Sequence, residues 1–238
     1  MRALNNPVVE SCLDCRLRRE GFFCNLSPEA LQAFEAIKHT NLYTKGALLF
    51  VEGQVARGIY LLCQGRVKLS ICSRSGKVRI LRIAEEGEAL GLSAMVSGTP
   101  YEVTAETLEL CQISFVKKED FLRFLHTYAN ASFRAAQHLS HIYHDAYVQI
   151  RSLKLSTSAA EKLAKLLLAW CGTSGKETEQ GIYLKLTLTH EEIAEMIVTS
   201  RETVSRLLGE FKSKQIIDVK GSNLVVRDKG ALEALTCE

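Results

Sequence analysis

The sequence has no long apolar run. In 238 residues, no stretch reaches the ~18 to 20 consecutive apolar side chains that a membrane helix needs, so a spanning protein is not expected. The first fifteen residues, MRALNNPVVESCLDC, lack an apolar segment after the arginine; they read as neither export signal nor anchor, and the expected location is the cytoplasm. An excess of one charge is also missing. Thirty Lys and Arg stand against 27 Asp and Glu; residues 1–155 carry 19 basic and 15 acidic side chains, and residues 156–238 carry 11 and 12. Bulk charge therefore argues for no partner, and any nucleic-acid binding has to rest on a local cationic face. No Ser/His/Asp array, phosphate-cradling glycine loop or paired-carboxylate site stands out, so an enzyme is not expected.

What is present is a globular composition, 47% hydrophobic and 24% charged, over a length that suits two modest domains. There are eight cysteines, and without an export signal they do not read as a disulfide framework. Cys12, Cys15 and Cys24 crowd into thirteen residues, whereas Cys63, Cys72, Cys111, Cys171 and Cys237 are scattered through apolar sequence, where cysteine acts as a small hydrophobe. The Cys12-x2-Cys15 step puts two thiols on one tight turn, with Cys24 following a short loop. With a fourth sulfur the set suits an iron–sulfur cubane, whose soft irons prefer thiolates, or a tetrahedral zinc site. A redox disulfide is a third option, favoured if Arg16, Arg18 and Arg19 lower the thiol pKa values.

Ser27-Pro28-Glu29 starts a short helix with an N-cap followed by proline. From Asn41 to Val116, short runs rich in Val, Ile, Leu and Tyr alternate with glycines, the pattern of an antiparallel barrel or double-sheet roll. Arg74-Ser75-Gly76-Lys77 is its clearest hairpin. Residues 118–155 read as mostly helical. There Ala136, Leu139, Tyr143, Ala146, Ile150 and Leu153 recur at spacings of 3 and 4, the seam of two helices packed together in a homodimer. His138, His141 and His144 span too wide an arc for one metal site and are expected to be exposed or to flank the seam. A small-residue break at 155–158 marks the domain boundary. Beyond it come helices and a two-strand wing around Gly221-Ser222-Asn223, a winged helix-turn-helix pattern.

Thr189-His190-Glu191-Glu192 is a capping box, and a second helix start follows at Thr199-Ser200-Arg201-Glu202. Val204, Leu207, Leu208 and Phe211 fall on one side of this second helix. Arg201, Glu202, Ser205 and Arg206 fall on the other. An exposed row of two guanidiniums, an acid and a hydroxyl near a helix N-terminus is suited to base edges: Arg to guanine, Glu to cytosine, Ser to base or phosphate. A plain solvated face, with Glu202 and Arg206 as a surface ion pair, is the competing reading.

The run LTLTHEEIAEMIVTSRETVSRLLGEFKSKQIIDVKGSNLVV, preceded by a barrel and a long helix, closely resembles the CRP/FNR family of bacterial transcription regulators, over nearly the whole chain. The resemblance implies an α+β fold: an N-terminal antiparallel beta-roll (jelly-roll, cyclic-nucleotide-binding-like), a long dimerisation helix and a C-terminal winged helix-turn-helix. The implied segments are a cysteine-rich head (1–26), the roll (27–117), the dimerisation helix (118–155) and the DNA-binding domain (156–238). Glu202, Ser205 and Arg206 match the FNR branch, which reads TTGAT-like half-sites, and Arg201 matches the CRP branch, where that position also contacts DNA. Thr199 and Ser200 complete the implied double-stranded DNA contact, with RNA polymerase as a further partner.

Many members of that family bind a cyclic nucleotide through a Gly-Glu pair and an Arg followed by a small hydroxyl residue. The matching stretch here, Gly91 to Thr104, has neither Arg nor Lys, and Glu102 would repel a phosphate. The resemblance to the oxygen-sensing FNR branch implies instead a 4Fe-4S cluster held by Cys12, Cys15, Cys24 and, from just before the last strand of the roll, Cys111. It would report oxygen or nitric oxide by controlling dimerisation and binding to a palindromic site. Eight residues separate Cys15 from Cys24, a longer gap than is usual in the family.

Overall fold

A computed structural model describes residues 11–15, 17, 21, 23–155, 158–186 and 188–236. The chain divides into two compact units, residues 1–144 and 145–238; the division falls inside the long helix rather than at the small-residue break.

The first unit opens with α1 (Pro28–Ile37), where Ser27 Oγ accepts from the Ala30 amide and proline occupies the first turn. Such a start satisfies one orphan donor and tolerates the missing proline N–H. Eight strands follow: β1 (Lys38–Tyr43), β2 (Leu48–Phe50), β3 (Gly58–Gln64), β4 (Val67–Cys72), β5 (Val78–Ala84), β6 (Ala89–Leu90), β7 (Thr104–Thr107) and β8 (Cys111–Lys117), with the short helix α2 (Leu92–Ser97) after β6. They form two four-stranded sheets ordered β1-β8-β3-β6 and β2-β7-β4-β5, with antiparallel pairing throughout. This is the expected double-sheet roll. The β4–β5 hairpin turns where expected, with Gly76 in the left-handed region that its tight turn requires.

Helix α3 (Lys118–Thr127) packs on β3 and β8, and α1 packs on α3. Phe23 from the head joins this layer: its ring stacks on Phe34 of α1 at 6.1 Å and meets Phe121 of α3 edge-on at 5.6 Å. A second tie is a contact of two glycines. A side chain on Gly87, in the β5–β6 turn, would collide with the Gly21 backbone, and one on Gly21 would collide with Cys24 Sγ. The head therefore lies directly against the roll.

Helix α4 (Ala129–Leu155) starts in the first unit and ends in the second. Ala131, Ala135 and His138 are buried and Leu139 is partly buried on the roll core. Of the expected seam, Ala136, Tyr143, Ala146 and Ile150 are exposed, Tyr143 by 73%; the side chain of Leu153 lies outside the described residues. The histidine expectation is corrected at one position. His138 is fully buried, with Nε2 3.0 Å from the Ala89 carbonyl of β6, whereas His141 and His144 are exposed.

The second unit holds α5 (Ala159–Thr173), β9 (Lys176–Thr178), β10 (Gly181–Lys185), α6 (His190–Ile197), α7 (Arg201–Ser213), β11 (Ile217–Lys220), β12 (Asn223–Val226) and α8 (Lys229–Ala234). Its sheet runs β11-β12-β10-β9. Strand β9 was not anticipated, because Lys176-Glu177-Thr178 carries no apolar alternation and is fully exposed.

Truncation of a fully buried aromatic costs about 3 to 5 kcal/mol. Phe23→Ala is accordingly expected to lower the urea stability of the chain by about that amount; a loss below about 1 kcal/mol would show that the head is not held by this ring.

Candidate functional site

Two places carry chemistry, one in each unit. In the second, Thr189 accepts from the Glu192 amide and the Glu192 carboxylate accepts from the Thr189 amide, the reciprocal capping box that starts α6. The helix stops at Val198, which adopts a left-handed conformation at φ 56, and the Thr199 amide donates to the Ala194 carbonyl. Ser200 then caps α7, accepting from the Thr203 amide at 3.2 Å. Because Val204, Leu207, Leu208 and Phe211 are buried, Arg201, Glu202, Ser205 and Arg206 are all left exposed.

The competing Glu202–Arg206 pairing is not what forms. Arg206 pairs instead with Glu210, one turn further on. Glu202 is held below the usual carboxylate range by bonds to its own backbone amide and to Ser200, so it stays an anion able to accept from a base amine. Sequence reasoning missed His190. Its Nδ1 lies 2.8 Å from Ser205 Oγ, fixing a hydroxyl on the exposed row, and no local pattern links residues fifteen positions apart.

In the first unit one cysteine of the head meets the first strand of the roll. Lys38, the first residue of β1, has a side chain only 5% exposed; its Nζ donates to Cys12 Sγ at 3.0 Å and lies 3.9 Å from Glu35. Burial alone would pull this lysine down, but contact with Cys12 and the charges of Cys12, Cys63 and Glu35 hold it above its ordinary value. Cys15 Sγ accepts from the Leu17 amide at 3.4 Å. The Cys24 thiol is pushed up to about 12 by burial and then by Cys15, Cys12 and Cys63, with Lys38 opposing.

Cys111 is the first residue of β8. Its buried Sγ donates to the Arg66 carbonyl at 3.3 Å and the Glu109 carbonyl at 3.4 Å, closing the turns before β4 and β8, and burial raises its pKa against those bonds. Cys111 shares a face of β8 with Ile113, and Ser114, which touches Cys63, lies on the other. Cys72 is exposed, Cys171 is partly buried, and Cys237 lies outside the described residues.

The donor set bears on what could be held. Among the described residues, no three His, Cys, Asp or Glu side chains form a ready cage for one metal ion. A tetrahedral zinc site would need sulfurs about 3.8 Å apart, whereas a cubane takes each thiolate on a separate iron and accepts a wider set. At the stretch from Gly91 to Thr104, Ser93 Oγ donates to Glu102 at 2.8 Å, so the hydroxyl that could meet a phosphate is already bound to a carboxylate.

A roll joined to a helix-turn-helix with a two-strand wing is the architecture of a DNA-binding regulator. Residues 161–235 match the Crp-like helix-turn-helix domain and residues 40–128 the cyclic nucleotide-binding domain. The chain is 25% identical over 214 residues to an anaerobic regulatory protein of Bacillus subtilis (strain 168), covering 90% of this chain and 89% of that one. It is 24% identical over 213 residues to a cyclic AMP receptor protein of Thermus thermophilus, covering 90% and 95%. The structure of FixK2 from Bradyrhizobium japonicum superposes with a TM-score of 0.75 at 19% identity, covering 85% of this chain and 98% of that one. The chain belongs to the CRP/FNR family of transcription regulators. Among the described residues, no helix is long and apolar enough to cross a membrane.

The Cys24 shift carries a sign. Its folded pKa lies above the ordinary thiol value of 9.0, so the folded chain keeps a proton that the unfolded chain releases; that stability is intact below about pH 9 and lost as pH climbs towards 12. In the metal-free chain at about pH 8, Cys24 is expected to alkylate with iodoacetamide far more slowly than exposed Cys72, since only the thiolate reacts. Peptide mass spectrometry reads both rates, and equal rates would contradict the burial.

Proposed function

We propose that this regulator binds DNA as a homodimer under the control of a 4Fe-4S cluster seated at the head, and that it responds to oxygen or nitric oxide. The observation that carries the reading is the contact of Cys12 Sγ with the buried Lys38 ammonium, in a head that also carries Cys15 and Cys24. Uncompensated thiolates would repel one another there, and a cationic inorganic centre removes that repulsion. Bound, the cluster would supply an oxygen- and nitric-oxide-reactive centre. Cys12, Cys15 and Cys24 would hold it from the head.

A thiol switch fits less well, because Cys24 is buried and its pKa is raised to about 12, the reverse of a reactive cysteine. Zinc and a cyclic nucleotide are the other readings; the Ser93–Glu102 pair weighs against the second. The name of the Bacillus relative, an anaerobic regulatory protein, is in keeping with the cluster.

Tyr143 and Ile150, exposed by 73% and 52%, suit burial against the same stripe of a second copy. Pairing would set two α7 helices about one DNA turn, ~34 Å, apart on a near-palindromic site. Arg201, Glu202, Ser205 and Arg206 would then face base edges, and Thr199 and Ser200 the backbone, with RNA polymerase recruited beside them. The reading places the protein in the cytoplasm and assigns it no catalytic step.

Anaerobic purification should give about four irons and four sulfides per chain, and exposure to air should lower affinity for a TTGAT-type palindromic duplex. Arg206→Ala should weaken that binding about 5- to 150-fold, the equivalent of roughly 1 to 3 kcal/mol, while leaving iron content unchanged. Fluorescence anisotropy and an iron assay on one preparation decide the matter; iron lost with Arg206 would contradict the division of labour. Tyr143→Glu with Ile150→Glu should sediment as monomer, and a persisting dimer would exclude the α4 seam.

A further inference from the structure

We infer that His190, the first residue of α6, is a positioning residue that turns the Ser205 hydroxyl of α7 into a hydrogen-bond acceptor, so that Ser205 selects a base amine, adenine N6 or cytosine N4. The inference rests on the base-edge reading of Ser205 above and states what that hydroxyl reads.

A hydroxyl carries one proton and two lone pairs, so a serine on a DNA-reading helix suits donor and acceptor edges alike. What decides between them is where its proton goes. Ser97, Thr127 and Thr173 each donate to the carbonyl four residues earlier on their own helix. Among the described residues, Ser205 makes no such bond. Its partner is His190 Nδ1 at 2.8 Å, on the neighbouring helix. A neutral imidazole has one bare nitrogen. With the Ser205 proton given to Nδ1, both lone pairs of the oxygen are left for an incoming group. His190 is half-buried and Ser205 exposed, so the proton is held on the protein side and the lone pairs on the open side.

The rest of the row fits this polarity. Glu202 lies one turn before Ser205 on the same face and can only accept while it is ionised. Arg201 and Arg206 can only donate. The Ser200 hydroxyl is already committed to the Thr203 amide, so Ser205 is the hydroxyl of the row that a base edge can reach with its lone pairs open. In the major groove guanine presents N7 and O6 and thymine presents O4, all acceptors that oppose a lone pair, whereas adenine N6 and cytosine N4 supply hydrogens. Without His190 the hydroxyl would rotate freely and serve either kind of edge.

The test uses the full chain, purified anaerobically, unmutated and as Ser205→Ala and His190→Ala, with far-UV circular dichroism to check that each folds. Selection from a library of duplexes with randomised palindromic half-sites, at about pH 8 where a free imidazole is uncharged, finds the base pair whose preference Ser205→Ala erases. Two modified duplexes are then made at that pair. One lacks its amine, with purine for adenine or pyrimidin-2-one for cytosine. The other lacks the opposite acceptor, with 5-methylpyrimidin-2-one for thymine or 2-aminopurine for guanine. Both remove the same Watson–Crick bond, so the cost to pairing is matched.

Fluorescence anisotropy should show the unmutated chain losing about 3- to 10-fold in affinity with the amine and less than about 2-fold with the acceptor. In His190→Ala the two losses should agree within about 2-fold, while affinity for an unrelated duplex stays unchanged. A greater loss with the acceptor, or the unmutated split persisting in His190→Ala, overturns the inference and leaves the base-edge reading standing. If the chain selects no sequence, or Ser205→Ala erases no preference, the base-edge reading itself falls and takes the inference with it, a failure visible before His190 is altered.

Discussion

The contact between the Lys38 ammonium and Cys12 Sγ is the one on which the attachment of the head to the roll depends. An ammonium withdrawn from water to 5% side-chain exposure is costly unless an anion or a strong acceptor replaces the solvent. Cys12 and Glu35 do so. Because Lys38 begins β1 and Cys12 belongs to the head, the pair ties an irregular segment to a regular sheet edge. Phe23, inserted between α1 and α3, supplies the apolar part of the same attachment. The polar tie without the ring would leave the head hinged at one point, and the ring without the tie would leave a buried cation unpaired.

The DNA-facing unit is organised by a simpler constraint, the termination of α6 within a turn of the start of α7. Val198 accepts a left-handed conformation there, which a β-branched residue adopts only when its surroundings impose it. The Thr199 amide and the Ser200 cap satisfy the backbone on either side. That turn sets which side of α7 is buried, and so which four polar residues are left outside. His190 then joins the two helices across their exposed edge by holding Ser205 Oγ. The row is therefore partly ordered before any duplex arrives, and less side-chain entropy is lost on binding.

Most of this architecture was legible in the residues, because its signals are local. Ser27-Pro28, the two capping motifs, the Gly76 turn and the 3-4 spacing on α4 each fix a short segment through a rule that needs no tertiary information. Family likeness added the order of the domains. The donors of the thiol site were half legible. Cys12, Cys15 and Cys24 were readable as a crowd, but the contact of Cys12 with Lys38 was not, since it joins residues 26 positions apart. Resemblance pointed to Cys111. The structure seats that thiol on the opposite face from Ser114, two positions from where alternation alone would have shown Ile113 turned away from the head. Lys38, His138 and His190 were missed for the same reason: each acts on a residue at least fifteen positions distant, and no spacing rule spans that gap.

Two cysteines of the roll sit in different surroundings. On β8, Cys111 is tied to the carbonyls of Arg66 and Glu109, so a pull on it would strain two turns at the end of the roll. On β3, Cys63 stands one residue from Leu62, whose amide and carbonyl bond the β5–β6 turn at Glu88 and Gly87. β3 pairs with β6 at Leu61 and Ala89, and the Ala89 carbonyl holds the buried imidazole of His138 on α4. A displacement at Cys63 therefore meets, within two strands, the helix whose exposed stripe is suited to pairing. Burial lowers the pKa of His138, which keeps the ring neutral and Ala89 bonded at ordinary pH, so this joint transmits position rather than charge.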